Sequence, residues 1–305
     1  MRDAVLKDLN ALPDVHAFCT YDPRVAAPDL AHEAFAITGE EDVWEQWNKY
    51  IVDADAVLPI APETNGLLLR LTELVSSQHK VLLGCGAEGV KIASSKYQTF
   101  LALQAAAVNV VPTFSPGQFP SGQYAECVVK PDDGAGCEGS ILFGNSSDFE
   151  TWRNGSSGEK YVAQPYVQCI PTSLSMLCDR GQAWLLSCNR QKIEQAAGRF
   201  TFKGSVLNGM AQHWSMLEIL ASQIAEAMPM LTGYIGVDVI LHEGGVSVLE
   251  INPRLTTSYA GLHGALVYNP ARLLIDLIYN SAFSSAGFEL PVNIQRNMVE
   301  VSVHD

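Results

Sequence analysis

The sequence predicts a small α/β unit followed by a larger α+β region built on antiparallel strands. Three observations carry that prediction. Up to about residue 112, helical patterns alternate with short apolar strand patterns, as in a parallel sheet covered by helices. Between 113 and 123 the chain becomes a linker of turn formers, with Pro116, Gly117, Pro120 and Gly122. Beyond it, strand patterns are separated by sharp turns, with no internal repeat or low-complexity tract.

In order, 3–12 reads as a helix with Val5, Leu6 and Leu9 on one face. A short strand follows at 15–19, a helix at 41–52 and a buried strand at 56–60. The helix 67–77 and the strand 80–83 continue the alternation. Ser94 and Ser95 cap a helix running to about Val108, and 108–112 is a strand. Strands at 127–130 and 140–143 flank a glycine-rich loop, and 161–167, 173–178 and 183–189 are further strands. Residues 214–227 form a helix, 236–241 and 246–251 a hairpin, and a last helix starts at Pro270. The expected units are 1–112, 113–175 and 176–305.

The chain has 305 residues, 48% hydrophobic and 17% charged, which suits a packed interior rather than disorder. Its 19 Lys+Arg against 33 Asp+Glu give a net charge of -14. Such a surface repels phosphate backbones and anionic lipid, so neither nucleic acid nor a membrane is an expected partner. A bound nucleotide then needs a local cluster of cations. The amphipathic start is not a signal peptide, and no stretch approaches the ~20 apolar residues of a membrane span. Seven cysteines, with no C-x-x-C and no zinc-finger spacing, fit reduced thiols in a cytoplasmic protein.

G-x-G-x-x-G occurs twice. Gly84 to Gly89 follows a strand, as a dinucleotide fingerprint does, but no Asp or Glu lies between Glu88 and Glu126 to hold a ribose. A flexible connection before the next helix is the plainer reading. Gly134 to Gly139 lies between two strands instead. There a hairpin tip with three glycines can offer N–H groups to phosphate oxygens, with Lys130 adding a cation, although an ordinary glycine hairpin has the same pattern. A P-loop and a protein-kinase signature are absent.

The segments Gly236-Val-Asp238 and Glu250-Ile-Asn252-Pro-Arg254 carry the strongest signal. Glu250 and Asn252 project on one face of a strand. A hairpin symmetric about Gly244 puts Asp238 opposite Glu250. Opposed carboxylates destabilise each other unless a cation lies between them. Asp238, Glu250 and Asn252 are hard oxygen donors of the kind that share Mg²⁺ with phosphates and water. Val237, Val239, Val248 and Ile251 make the other face apolar. Arg254 stays on the polar face, where its planar fork suits a phosphate or carboxylate.

Lys96 at a helix start, Lys130 before a glycine loop, a middle strand and the Asp…Glu-x-Asn hairpin occur in the order of the ATP-grasp superfamily, which this chain resembles from about Pro59 to Leu273. Ala61-Pro62-Glu63-Thr64, Asn189-Arg190-Gln191 and the run Pro253 to Tyr259 look most like its tyramine–glutamate ligase branch, of methylofuran-type cofactor pathways. The resemblance implies a pre-ATP-grasp α/β domain, then an ATP-grasp fold with the nucleotide between two subdomains. It implies that Lys96 and Lys130 contact ATP phosphates while Gly134, Gly136, Glu138 and Gly139 close over them. Gln164, Pro165, Tyr166 and Val167 would form the adenine hinge. Asp238, Glu250 and Asn252 would hold Mg²⁺ or Mn²⁺, and catalysis would fall to Arg254, Lys130 and Arg190. The implied reaction joins an acid, glutamate-like in this branch, to an amine through an acylphosphate, giving ADP and phosphate. Homodimers are common in this architecture.

Two departures stand out. Relatives begin with a strand and a glycine turn, whereas this sequence starts inside the following helix, so that strand is expected to be lost or truncated away. The position after the hinge that is commonly acidic and holds ribose is Gln168. These favour the alternative of an ATP-binding protein with lost or weak catalysis, and the glycine turn at 84 leaves a dehydrogenase as a third reading. Glu63 serves equally as a holder of a substrate amine or as a helix-start carboxylate. Trp44, Trp47, Tyr97, Phe100 and Tyr279 are expected in the core.

Overall fold

The computed structural model describes residues 1–303 apart from 31, 40, 41, 135, 156–159 and 284–286. The first third comprises α1 (Arg2–Asn10), β1 (Phe18–Tyr21), β2 (Glu33–Ala36), α2 (Val43–Asp53), β3 (Ala56–Val57), α3 (Leu67–Ser77), β4 (Val81–Leu82), α4 (Ala87–Ala93) and α5 (Lys96–Ala105). The expected helix start at Glu41 lies outside the described residues. Instead of one parallel sheet, two short parallel pairs form, β1–β2 and β3–β4. With strands of four and two residues, neither pair extends its ladder to the other. The strand expected at 108–112 reduces to one bridge between Val110 and Val248, in which Val111 N–H donates to Val248 O and Val248 N–H to Asn109 O.

The remainder comprises β5 (Cys127–Pro131), β6 (Ile141–Phe143), α6 (Ser146–Gly155), β7 (Tyr161–Pro165), β8 (Ile170–Asp179), β9 (Gln182–Ala196), β10 (Arg199–Leu207), α7 (Trp214–Ala227), β11 (Gly233–His242), β12 (Gly245–Asn252), α8 (Tyr259–Leu266), α9 (Pro270–Phe283) and β13 (Val299–Ser302). Strands run β12-β11-β8-β9-β10-β6-β5-β7, with β13 beside β10. The ladders from β12 to β10 are long, but β10 meets β6 only at Arg199 opposite Ile141, beside the bond from Leu142 N–H to Gly198 O.

Burial follows the same division. Phe119, Cys127, Val129, Phe149 and Ala163 form a small core with Phe114, Phe143, Trp152 and Tyr161 around it. A larger core joins Val90 and Leu103 to the β8, β9, β11 and β12 strands and to α7. A third joins Val5 of α1 to Leu262, Leu273 and Leu277 of α8 and α9. Of the aromatic residues expected in the core, Phe100 is buried, but Tyr279 is exposed.

The glycines before α4 form no flexible connection. Gly86 caps α4, Thr232 Oγ1 accepts from its N–H at 3.3 Å and donates to Gly84 O at 3.2 Å. A Cβ on Gly89 would stand 2.5 Å from Cys85 Sγ and 2.7 Å from Met230 O. Gly89→Ala is therefore expected to destabilise the protein by about 1–3 kcal/mol. Gly122→Ala, facing open space, should leave the melting temperature nearly unchanged. Equal thermal melts for the two variants would contradict this packing.

Candidate functional site

The concave side of the sheet, the glycine loop after β5 and the start of α5 enclose a cavity of about 440 Å³, within the ~300–1,000 Å³ range of small-ligand pockets. The loop is a turn in which Gly136 and Cys137 both adopt positive φ, 65° and 67°. Ala135 lies outside the described residues.

Asp238 pairs with Glu250 across β11 and β12. The hairpin reaches that pairing differently from the symmetric expectation. Its turn has two residues, Glu243 and Gly244, and His242 faces Gly245. A bulge at Leu249, between the pairs Val239–Val248 and Asp238–Glu250, then shifts the register by one. Without it Val248 and Ile251, three residues apart, could not share a buried face. With it both are buried beside Val237 and Val239.

Glu250 Oε2 receives two ammonium groups, Lys130 Nζ at 3.4 Å and Lys96 Nζ at 3.5 Å. Both lysines are buried. Lys96 Nζ also donates to Gly134 O at 2.7 Å and to Asp132 O at 3.3 Å. Asp132 in turn fixes the start of α5, accepting from Ser95 Oγ at 2.7 Å and from Tyr97 N–H at 2.9 Å. Burial would raise Glu250, but the two lysines outweigh it and hold it down at about 2. Burial, the charge of Glu250 and a hydrogen bond to it push Asp238 up to about 7. Burial also lowers Lys130, against the attraction of Glu250.

Gln191 Nε2 donates to Asp238 Oδ1 at 2.8 Å, and Asn252 Nδ2 lies 3.4 Å from Oδ2. Among the described residues no group of three or more His, Cys, Asp and Glu is placed to hold a metal. Two carboxylates and one amide are too few donors to hold a divalent ion without further oxygens.

Lys96, Lys130, Gly134, Gly136, Glu138, Gln164, Pro165, Tyr166, Val167, Asp238, Glu250, Asn252 and Arg254 all line the cavity. Gly139 and Arg190 are not in its lining. Arg190 is exposed, because alternation along β9 turns Gln191 and Ile193 inward and Arg190 away. The Gln164 side chain donates to Thr113 Oγ1 at 2.8 Å, and Tyr166 N–H donates to Glu126 O. Any pairing of a base at this segment thus depends on its other backbone groups. Gln168 is exposed and outside the lining. Cys137 and Cys169 line the cavity unanticipated, and burial pushes the Cys137 thiol up to about 11, so it is no thiolate nucleophile. Asp132 and Gln191 were missed as contributors. The signal of Asp132 was positional only, two residues after Lys130; Gln191 stood in the run 189–191 that carries the resemblance, in phase with the inward face of β9, without a role of its own.

A family model of the ATP-grasp domain matches residues 93–258, and one of the pre ATP-grasp 3 domain matches 15–90. The chain belongs to the ATP-grasp family. It is 32% identical over 208 residues to tyramine–L-glutamate ligase of Methanocaldococcus jannaschii, a match covering 68% of this chain and 58% of that protein. The enzyme of the same name from Methanocaldococcus fervens is 30% identical over 210 residues, covering 68% and 61%. The matched part is thus less than two thirds of either relative. The fold resembles the biotin carboxylase domain of Hydrogenobacter thermophilus 2-oxoglutarate carboxylase, solved with Mg-ADP, ADP and bicarbonate. The TM-score is 0.76 at 14% identity, over 97% of this chain and 70% of that one. No described helix is long and apolar enough to cross a membrane.

The shifted carboxylates set a pH dependence. Asp238 binds its proton more tightly folded, at about 7, than its ordinary 3.8. That contribution to stability is complete below 3.8 and is lost as the pH rises to about 7. Glu250 runs the other way, contributing above 4.5 and losing it as the pH falls towards about 2. Without nucleotide or divalent ion, the melting temperature is expected to fall between about pH 4 and about pH 7. Asp238→Asn should flatten that slope. An unchanged slope in the variant would assign the titration elsewhere.

Proposed function

We propose that the chain is an ATP-dependent ligase that joins an acid to an amine through an acylphosphate, releasing ADP and phosphate. The observation that carries this reading is the charge arrangement around Glu250. Two buried ammonium groups share one carboxylate oxygen beside a second carboxylate poised near neutrality. On a chain of net charge -14 this is a local seat for polyphosphate.

In this reading Lys96 and Lys130 hold the phosphates, and the 134–139 loop covers them and excludes water. Asp238, Glu250 and Asn252 hold Mg²⁺ or Mn²⁺, which when bound neutralises phosphate charge and aligns the transfer. The acid's carboxylate attacks the γ-phosphate, with Arg254 steadying the anions. The amine then displaces phosphate and forms the amide. Such chemistry needs positioning and charge neutralisation rather than a covalent nucleophile. Glutamate and tyramine are the first substrates to consider, by similarity to the Methanocaldococcus enzymes. The units 1–112, 113–175 and 176–305 belong to the same proposal, and the separate aromatic core between Phe114 and Ala163 supports the middle one.

The test is ADP release with Mg-ATP against a grid of acids and amines, starting with glutamate and tyramine. Release that requires both an acid and an amine is expected. ATP binding without release for any pair would favour a nucleotide-binding protein, as the outward-facing Gln168 suggests. Asp238→Asn and Glu250→Gln should each lower turnover by about a hundredfold or more. Lys130→Ala should weaken ATP binding at least about tenfold, the loss of one charged hydrogen bond. Normal turnover or normal ATP affinity in these variants would remove the residue from the site.

A further inference from the structure

Glu63 lies in the loop after β3, 191 residues from Arg254 in sequence, yet its Oε2 accepts from Arg254 Nε at 2.8 Å. Its side chain is 5% exposed, and Oε1 is buried without a partner among the described residues. Although Glu63 precedes a short helical turn, its side chain makes no capping bond there. Neither role expected for it, amine holder or helix-start carboxylate, describes its observed contact.

A paired bond between a guanidinium and a carboxylate uses both carboxylate oxygens. Here one buried oxygen is left without a partner, which costs stability. The single bond to Nε fixes the direction of the guanidinium instead. Leu255 O accepts from Nη1 at 3.1 Å. Two of the five donors are thus held by protein oxygens, and Arg254 lines the cavity. The donors not so held are those it can offer a ligand there.

The loop carrying Glu63 is itself braced. Asn65 adopts φ 56° and donates its N–H to Asp133 Oδ2 at 2.9 Å. Asparagine tolerates that region, and the bond to Asp133 fixes it there. Asp133 adjoins Asp132, which fixes the start of α5 and Lys96. One loop of the N-terminal unit therefore touches both Arg254 and Asp133, the residue before the glycine loop.

We infer that Glu63 is a positioning residue that aims Arg254 at the anionic group of the acid or at the transferred phosphate. The inference rests on the ligase reading only for the identity of that anion. It predicts that the effect of Glu63 passes through Arg254.

The probe is inorganic phosphate binding in the presence of Mg-ADP, followed by thermal-shift titration. Glu63→Ala should weaken phosphate binding about tenfold or more, with Glu63→Gln recovering part of the loss. Mg-ADP affinity should stay within about twofold for both. Glu63→Ala combined with Arg254→Ala should bind phosphate no more weakly than Arg254→Ala alone. Additive losses, or a fall in Mg-ADP affinity as large as the fall for phosphate, would show that Glu63 supports the fold and overturn the inference. No phosphate binding by the wild type would overturn it too, while ADP release in the substrate grid would still decide the ligase reading. The reverse pattern, with no ADP release but phosphate binding dependent on Glu63, would sink the ligase reading and keep the positioning role.

Discussion

Everything at the centre of this molecule depends on Glu250. It is a buried carboxylate that holds two buried lysines. Removing the carboxylate would leave two uncompensated ammonium groups in a poorly solvated place. The three groups come from α5, β5 and β12, so one ionic contact ties the N-terminal helix start, the glycine-loop strand and the carboxylate hairpin together. Two ammonium groups against one carboxylate leave a positive excess while Asp238 keeps its proton. In the ligase reading proposed above, an anion entering with a divalent ion would meet that excess.

The rest of the fold presents these charges to one another. The long ladders from β12 through β10 make a firm floor. The β6-β5-β7 piece, with Lys130 and the glycine loop, is joined to that floor by a single ladder pair and has its own aromatic core. Among the described residues no other neighbouring pair in the sheet has so short a ladder. The salt bridge from Lys130 to Glu250 spans this joint.

The residues that line the cavity were more legible in the sequence than the register of the sheet was. The two-residue periodicity of a strand placed Glu250, Asn252 and Arg254 on one face, and the opposed acids led to the expectation of a cation. The correct pairing of Asp238 with Glu250 nevertheless came from an incorrect turn, compensated by the Leu249 bulge. Its trace in the sequence is the odd spacing of Val248 and Ile251, which breaks the two-residue period. The 259–266 helix was missed because it contains Gly261 and Gly264, poor helix formers. A Cβ on Gly261 would lie 2.8 Å from Val301 Cγ2, so tertiary packing selects that glycine. The contact of Glu63 with Arg254 joins residues far apart in the chain, and no local pattern can encode it.

The two G-x-G-x-x-G runs show why spacing alone does not establish a nucleotide site. At 84–89 the glycines serve close packing: Thr232 occupies the turn's polar groups and Gly89 makes room for the backbone of Met230. At 134–139 the glycines also include close approaches, for Gly134 and Gly139 both crowd Pro131. Gly136, however, is exposed and faces open space beside the cavity. The first loop is closed by its own protein; the second leaves part of its backbone where a ligand can reach it. What separates them is the surroundings: one run sits against Thr232 and Met230, the other beside Lys96, Lys130 and the paired acids. A glycine pattern gives the backbone permission to approach; the neighbouring charges decide what it approaches.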